Sequence, residues 1–171
     1  MIKTYVIDTN VLIQAPYAIE CFEDNNLILP LVVLEELDGL KKAEGEKGAN
    51  ARAAVRKLES YRQKGDLLQG VKLPGGGILR IEKNFVQVEL PSDIPDDKPD
   101  NRILKVCKGL AETEKEGQVI LVTKDIVLRL KAQILGIRAE DFERERISED
   151  DAQYTGRTEI YFPEEKVKEF K

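Results

Sequence analysis

Two aspartates stand where buried strands are predicted to end. Asp8 closes the strand-like segment KTYVID, and Asp125 follows the apolar segment QVILVT after one intervening lysine. In open α/β sheets, ligands bind beside the carboxyl ends of the parallel strands. Asp is also a frequent N-cap of the helix that follows a strand, so each residue taken alone fits either a binding site or a helix cap.

Two further acidic residues are predicted on the inward side of helices. Glu36 lies four positions from both Val32 and Leu40 and therefore shares their apolar row. Asp100 begins a helix on the side of its apolar stripe, which comprises Ile103, Leu104, Cys107, Leu110 and Ala111. A buried carboxylate needs a basic partner or a cation. The simpler alternatives are that Glu36 reaches solvent at the helix edge and that the helix dipole alone favours Asp100.

The chemistry of such a cluster favours a divalent cation. Carboxylates that converge within roughly 5 Å repel one another by about 3 kcal/mol per pair at an effective dielectric of about 20. Oxygen ligands suit Mg²⁺ or Mn²⁺, and an ion of this kind activates water and holds a phosphate. The chain contains no histidine, which excludes nucleophile pairs with histidine and histidine-assisted zinc sites. We therefore expect one or two Mg²⁺ or Mn²⁺ ions among Asp8, Glu36, Asp100 and Asp125.

Composition indicates one domain with an appendage. The chain has 171 residues, of which 42% are hydrophobic and 35% charged, enough to bury a core. The predicted domain covers residues 1–141, and a charged extension covers residues 142–171. No apolar run approaches the roughly 20 residues of a membrane span, and the N-terminus lacks the apolar stretch of a signal peptide, so we expect a cytoplasmic protein. Cys21 and Cys107 have apolar neighbours and are interpreted as buried thiols.

Alternating strand and helix patterns predict a three-layer α/β/α fold with a central parallel sheet of about five strands. The predicted strands lie at residues 3–8, 27–30, 78–82, 118–123 and 137–141. Helices are predicted over residues 9–22 with a break at Pro16, and over 30–42, 49–65, 100–117 and 125–136. GEKG at 45–48 is interpreted as a break between helices, and FVQVEL at 85–90 as a short strand or edge hairpin. In the tail we expect one strand and a terminal helix.

A basic stretch runs through the second and third predicted helices. It comprises Lys41, Lys42, Lys47, Arg52, Arg56, Lys57, Arg62 and Lys64, and Lys124 lies near the predicted ligands. Arg52 and Arg56 are four positions apart and share a helical face. The strip is either an ordinary solvated face or a surface that positions phosphates without reading sequence. The net charge of −5 argues against a nucleic-acid-binding chain, and an aromatic content of 6% predicts no stacking platform for bases.

The chain resembles the PIN domain family, and especially the PIN domain that precedes PhoH-type ATPases. The similar segments are, in order, VIDTNVLI, LILPLVVLEELDGLK, GANARAAVRKL, PDNRILKVC and LVTKDIVLRLKAQILGI. They span residues 5 to about 141, and YTG at 154–156 fits the junction found in that subgroup. No single segment is decisive, but five in the correct order make the resemblance specific.

The resemblance implies a strand order of 3-2-1-4-5 and metal-dependent cleavage of single-stranded or structured RNA. The acidic ligands of the family fall on Asp8, Glu36, Asp100 and Asp125, and its supporting polar positions fall on Thr9, Asn10 and Thr123. RNA is the implied substrate, a PhoH-type ATPase domain is an implied partner, and a homo-oligomer is left open. Two departures stand out: the ATPase half is missing, and Asp96 and Asp97 stand near Asp100, although helical spacing favours Asp100.

Three other interpretations compete with this one. A receiver-like phosphoacceptor domain needs paired acids after the first strand and an isolated lysine after a late strand, whereas Thr9 and Asn10 follow Asp8 and the late strand ends in Lys124 and Asp125. A haloacid-dehalogenase-type phosphatase needs a second aspartate at position 10, where this chain has Asn10. The third is a catalytically idle PIN scaffold that binds RNA or a protein partner, an alternative that stays open because intact ligands do not prove turnover.

Overall fold

A mixed six-stranded sheet forms the centre of the computed structural model, which describes residues 2–83, 85, 87–95, 97–113 and 118–142. The strands are β1 (Thr4–Ile7), β2 (Asn26–Pro30), β3 (Val71–Lys72), β4 (Ile78–Glu82), β5 (Val119–Val122) and β6 (Arg138–Glu140). Their order is β3-β4-β2-β1-β5-β6, in which β3 is antiparallel to β4 and the other neighbours are parallel. The five parallel strands, numbered along the chain, therefore have the order 3-2-1-4-5 that the resemblance implied.

Helices flank this sheet. Within the described residues they are α1 (Thr9–Gln14), α2 (Leu31–Leu40), α3 (Gly45–Arg62), α4 (Pro99–Thr113) and α5 (Ile126–Ile134), with a 3-10 helix at Pro16–Glu20. Pro16 separates α1 from the 3-10 helix as predicted, because proline lacks the N–H that a continuing helix needs. None of the helices in the described ranges is long and apolar enough to cross a membrane. The predicted α/β fold class is confirmed.

The buried strand β1 positions the side chains at the carboxyl edge of the sheet. All four of its residues are buried, and it lies between β2 and β5. It pairs in register with β5, so that Ile7 lies opposite Val122. Consequently Asp8 and Thr123 follow two neighbouring strands and lie side by side at the same edge.

A break separates the second and third predicted helices, but it lies at residues 41–44, so its predicted position at 45–48 is wrong. α2 ends at Leu40, and α3 begins at Gly45, whose φ of +81° is readily adopted only by glycine. Gly48 permits a close approach to the preceding turn, since a Cβ there would lie 1.7 Å from the carbonyl oxygen of Ala43. These glycines therefore shape and pack the start of the helix.

The hairpin partner of β4 precedes it in the chain, so the prediction of a strand or edge hairpin at 85–90 is wrong. The described residues of that segment, Phe85 and 87–90, lie outside strands. Instead, β3 pairs along the outer edge of β4. A glycine-rich turn joins the two strands, and in this turn the Leu73 N–H donates to the Gly77 carbonyl at 2.8 Å. That edge is already occupied when the chain reaches residue 85.

The hydrophobic core extends to Phe142, the first residue of the predicted extension. The Phe142 side chain is 1% exposed, and its ring centroid lies 5.9 Å from that of Phe22. Cys107 is buried in the core as predicted, whereas Cys21 is half-buried and donates its thiol hydrogen to the Tyr17 carbonyl. The strand and helix expected in the tail, and the YTG junction, lie outside the described residues.

Candidate functional site

Asp8 is the most buried acidic residue of the predicted site. It follows β1, and its side chain is 2% exposed. One carboxylate oxygen, Oδ1, accepts a hydrogen bond from the Thr9 backbone N–H at 2.6 Å, as in a helix cap. The other oxygen, Oδ2, accepts a hydrogen bond from the Thr123 hydroxyl at 2.7 Å. The residue thus caps α1, one of the two roles that the sequence left open, and its other oxygen faces the end of β5.

Burial and neighbouring negative charges favour the protonated form of the Asp8 carboxyl and so raise its pKa. Desolvation is the main cause that raises its pKa from 3.8 to about 6, and the negative charges of Asp100 and Glu36 raise it further. The hydrogen bonds from Thr123 and Thr9 oppose this shift because they favour the carboxylate. The structure therefore brings Glu36, from α2, and Asp100, from α4, within electrostatic range of Asp8.

Glu36 is joined to Asp8 through Thr9. The Thr9 hydroxyl donates a hydrogen bond to Glu36 Oε1, while the Thr9 backbone N–H donates to Asp8. Thr9 is 5% exposed, and Glu36 is half-buried on α2. The apolar row that the sequence indicated is present, with Val32 buried and Leu40 half-buried on the same helix. Glu36 therefore stands at the inner edge of α2, beside the carboxyl end of β1.

Asp100 lies half-buried in the first turn of α4, and its neighbour Asn101 anchors that turn. The fully buried Asn101 amide donates to the Pro95 carbonyl at 2.6 Å, and its oxygen accepts from Lys131 Nζ at 3.0 Å. Asn101 thereby ties α4 to the preceding loop and to α5. Sequence reasoning missed this residue, although its position three residues before Leu104, on the apolar stripe, is a usable signal.

Asp125 caps α5, as one of the two sequence-based alternatives proposed. Its Oδ1 accepts hydrogen bonds from the backbone N–H groups of Val127 at 2.9 Å and Leu128 at 3.4 Å. Its own backbone N–H donates to the Thr123 hydroxyl oxygen at 3.0 Å. Asp125 is therefore connected to Asp8 through Thr123, a completely buried residue, while the charges named as acting on Asp8 are those of Asp100 and Glu36.

The oxygen donors fit a hydrated Mg²⁺ or Mn²⁺ ion better than a closed protein cage. Among the described residues, no group of three or more Asp, Glu or Cys side chains lies close enough together to surround a metal ion. Each oxygen of Asp8 accepts one hydrogen bond and keeps a second lone pair. Mg²⁺ is usually bound by one or two carboxylates and several waters. The charge and donor type of Asp8 therefore suit such an ion.

The remaining candidate residues of the site are more exposed than Asp8. Asn10 is exposed and lines a separate cavity with Ile13, Gln14, Glu46 and Lys47. Of the two acids that compete with Asp100, Asp97 is exposed, and Asp96 lies outside the described residues. Among the described residues of this loop and helix start, Asp100 is the acid whose charge raises the pKa of Asp8.

The three residues assigned to nucleic acid have different surroundings. The Arg52 guanidinium donates to the carbonyl oxygens of Lys41 at 2.7 Å and Ala43 at 3.3 Å, at the end of α2. Lys124 Nζ forms an ion pair with Asp141 Oδ1 at 3.0 Å. Arg56 is exposed one helical turn beyond Arg52. Arg56 is thus the residue of this set whose position best suits a phosphate contact.

Known proteins similar to this chain cover most of its length. The family model described as a PIN domain matches residues 5–143. Protein PhoH2 of Bacillus subtilis (strain 168) is 43% identical over 175 residues, covering 99% of this chain and 40% of that protein. Protein PhoH2 of Thermobispora bispora is 36% identical over 160 residues, covering 92% of this chain and 35% of that protein. The chain thus spans less than half the length of these curated relatives.

A solved structure supports the fold. A domain of a functionally unknown protein from Methanocaldococcus jannaschii aligns with a TM-score of 0.50 and 22% identity, covering 82% of this chain and 91% of that one. At this identity, the likeness concerns the fold alone.

The raised pKa of Asp8 leads to a prediction about stability in EDTA. Because the folded-state pKa of about 6 exceeds the ordinary 3.8, ionisation of Asp8 destabilises the fold. This destabilisation is absent below the ordinary pKa, grows as the pH rises through 6, and then stays constant at about 3 kcal/mol. We expect the stability of Asp8→Asn relative to wild type to increase between pH 4 and pH 7, measured by urea denaturation. Asp24→Asn, at an exposed position, is the control; parallel curves for wild type and Asp8→Asn would contradict the burial of an ionised Asp8.

Proposed function

The chain belongs to the PIN domain family, and from that premise we propose that it is a Mg²⁺- or Mn²⁺-dependent ribonuclease that hydrolyses phosphodiester bonds. Members of this family are typically metal-dependent nucleases. The observation that carries the proposal is the buried Asp8 carboxyl, whose pKa is raised by desolvation and by the charges of Asp100 and Glu36. Repulsion among buried acids is destabilising unless a cation compensates for it.

Asp8, Glu36, Asp100 and Asp125 would hold one or two ions. A bound ion of this type lowers the pKa of a water molecule and neutralises a leaving oxygen. The four acids supply the negative charge that holds it at the carboxyl edge of the sheet. Asp125 caps α5 through Oδ1, which leaves Oδ2 for this role. No histidine is needed, because the carboxylates themselves provide the oxygen donors.

Two threonines position the acids. Thr123 donates to Asp8 and accepts from the Asp125 N–H, while Thr9 donates to both Asp8 and Glu36. Hydrogen-bonding partners of this kind orient ligand oxygens, and their loss typically reduces activity or metal affinity by roughly 10- to 100-fold. Thr9 and Thr123 are therefore proposed as positioning residues. Asn10, in the first turn of α1, is proposed as a further supporting polar residue.

RNA, a PhoH-type ATPase domain and a cytoplasmic location complete the proposal. The relatives named PhoH2 are much longer than this chain, which is compatible with a second domain that acts together with the nuclease domain. Arg56, with Arg52 and Lys124, would contact the RNA phosphates through charge, without recognising the base sequence of the RNA. An idle scaffold would bind RNA through the same cations without cleaving it, so cleavage is the property to measure.

Cleavage of end-labelled single-stranded RNA in Mn²⁺ or Mg²⁺ is the direct test. We expect activity to be abolished by EDTA and by Asp8→Asn, Glu36→Gln or Asp100→Asn, with losses far from additive because the acids act as a unit. Thr123→Val should reduce the rate by roughly 10- to 100-fold. Asp24→Asn is the matched control. Near-wild-type rates in Asp8→Asn and Asp100→Asn, with both variants folded, would rule out this site.

Asp125 can be tested by two substitutions that separate capping from metal binding. Asparagine caps a helix about as well as aspartate but carries no charge, whereas alanine lacks both properties. We expect Asp125→Asn to keep the thermal stability of wild type and to lose cleavage. Asp125→Ala should lose cleavage and also about 1 kcal/mol of stability. Full cleavage by Asp125→Asn would show that this residue is a cap and takes no part in the reaction.

The RNA contact of Arg56 is tested through the salt dependence of binding in EDTA. Removing one phosphate contact to a single strand should reduce the slope of log K against log salt by about 0.7. We expect this change for Arg56→Ala. Arg138→Ala is the matched control, since Arg138 is an exposed arginine on β6. Equal slopes for both variants would indicate that Arg56 belongs to an ordinary solvated helix face.

A further inference from the structure

A second concave feature lies on the carboxyl side of the sheet, beside the proposed nuclease site. It is a groove of about 620 Å³ lined by Leu31, Leu68, Gln69, Ile81, Glu82, Lys83, Phe85 and Gln87. Pro30 pairs with Glu82 where β2 and β4 end, so the residues that follow these strands share the edge at which Asp8 follows β1. The volume is within the range of sites that bind small organic groups.

The groove is close to the acidic cluster along α2. Leu31 begins this helix, and Glu36 lies five residues further along it. At 1.5 Å per residue, their separation along the helix axis is about 7.5 Å. The groove and the acidic cluster therefore adjoin the same helix, about one and a half turns apart along its axis.

The lining suits a flat, neutral group that carries hydrogen-bonding edges. Leu31, Leu68 and Ile81 supply apolar walls, and Leu68 is 57% exposed. Gln69 and Gln87 are exposed amides, each able to donate and accept. Among the described lining residues, the single acid is Glu82, which pairs with Arg80 at 2.9 Å, and the single lysine is Lys83. Because phosphate recognition relies on clustered cations, this balance favours a nucleobase over a phosphate.

Phe85 contributes an aromatic ring whose position is set by its packing. Its φ of +52° lies in the left-handed region, which bulky residues rarely adopt. The ring packs over Gly109 of α4 so closely that a Cβ at residue 109 would lie 2.2 Å from Phe85 Cδ1. The side chain is half-buried, and it lines both this groove and a smaller cavity of about 310 Å³ against α4. Backbone strain that the surroundings maintain is often associated with a functional position.

We propose that this groove binds an unpaired nucleobase of the RNA, next to the phosphodiester that is cleaved. The base stacks against Phe85, and the amides of Gln69 and Gln87 bond to its edges. A base inside a duplex cannot enter such a groove, so the site selects single-stranded RNA or an unpaired loop. The aromatic content of 6% had predicted no stacking platform for bases. The folded chain nevertheless places the ring of Phe85 at this groove, where it packs on Gly109. This proposal rests on the proposed function but concerns a different property, the contribution of the base to binding.

The test compares a short single-stranded RNA with an abasic oligonucleotide of the same length and charge, both bound in EDTA. Stacking of one base on an aromatic side chain strengthens binding by about 5- to 150-fold, so the intact RNA should bind at least fivefold more tightly. Phe85→Leu, Gln87→Ala and the ring-displacing Gly109→Ala should narrow this ratio towards one. Gln133→Ala, at an exposed glutamine on α5, should leave it unchanged. The chain has no tryptophan, so 2-aminopurine in the RNA reports stacking without interference.

Equal binding of intact and abasic RNA by the wild type would overturn the proposal. So would a ratio that stays unchanged in folded Phe85→Leu and Gln87→Ala variants. If these variants change the sedimentation coefficient and leave the ratio unchanged, the groove is an interface between copies of the chain, which also overturns it. Metal-dependent cleavage without base-dependent binding would refute the groove alone. Base-dependent binding without cleavage would refute the nuclease and leave the groove standing.

Discussion

Burial of the Asp8 carboxyl at the end of the central strand is the constraint to which the rest of the site responds. β1 lies in the middle of the sheet, so the residue that follows it has protein on nearly every side. A carboxylate in that place loses most of its hydration and gains the repulsion of Asp100 and Glu36, which explains why its pKa is raised to about 6. Among the described residues, two hydrogen-bond donors, from Thr9 and Thr123, oppose that shift. The surrounding elements carry an unfavourable charge arrangement that a cation would relieve.

Threonine hydroxyls convert these separate acids into a connected network. Thr123 joins Asp8 to the start of α5, and Thr9 joins Asp8 to α2. Each hydroxyl donates to a carboxylate, so valine at either position would keep the shape and leave a buried oxygen with fewer partners. The remaining acid, Asp100, depends on the buried Asn101, which fixes the first turn of α4. Geometry at the site is therefore maintained by neutral polar residues that the acids contact or adjoin.

The sequence was sufficient wherever a single physical rule dominates. Asp8 was predicted at a strand end because buried strands have an unambiguous apolar pattern, and Glu36 was predicted inward because helical spacing places it on an apolar row. It was insufficient where two solutions share one pattern. The alternation of residues 85–90 suited an edge strand, but β3, at residues 71–72, occupies the place beside β4. The direction of the Asp125 side chain and the ion pair between Lys124 and Asp141 depend on tertiary contacts, which residue spacing does not reveal.

The central claim is that burial and the neighbouring acids raise the pKa of Asp8 and that a bound cation would lower it again. A measurement of this pKa tests the claim most directly. Carboxyl ¹³C NMR can follow the titration of Asp8 in wild type and in Asp100→Asn, without metal and with Mg²⁺. The account predicts a pKa of about 6 in the metal-free wild type. It also predicts a lower value in Asp100→Asn and a fall well below 6 when Mg²⁺ is added. An Asp8 pKa near 3.8 without metal, unmoved by Mg²⁺ or by Asp100→Asn, would contradict it.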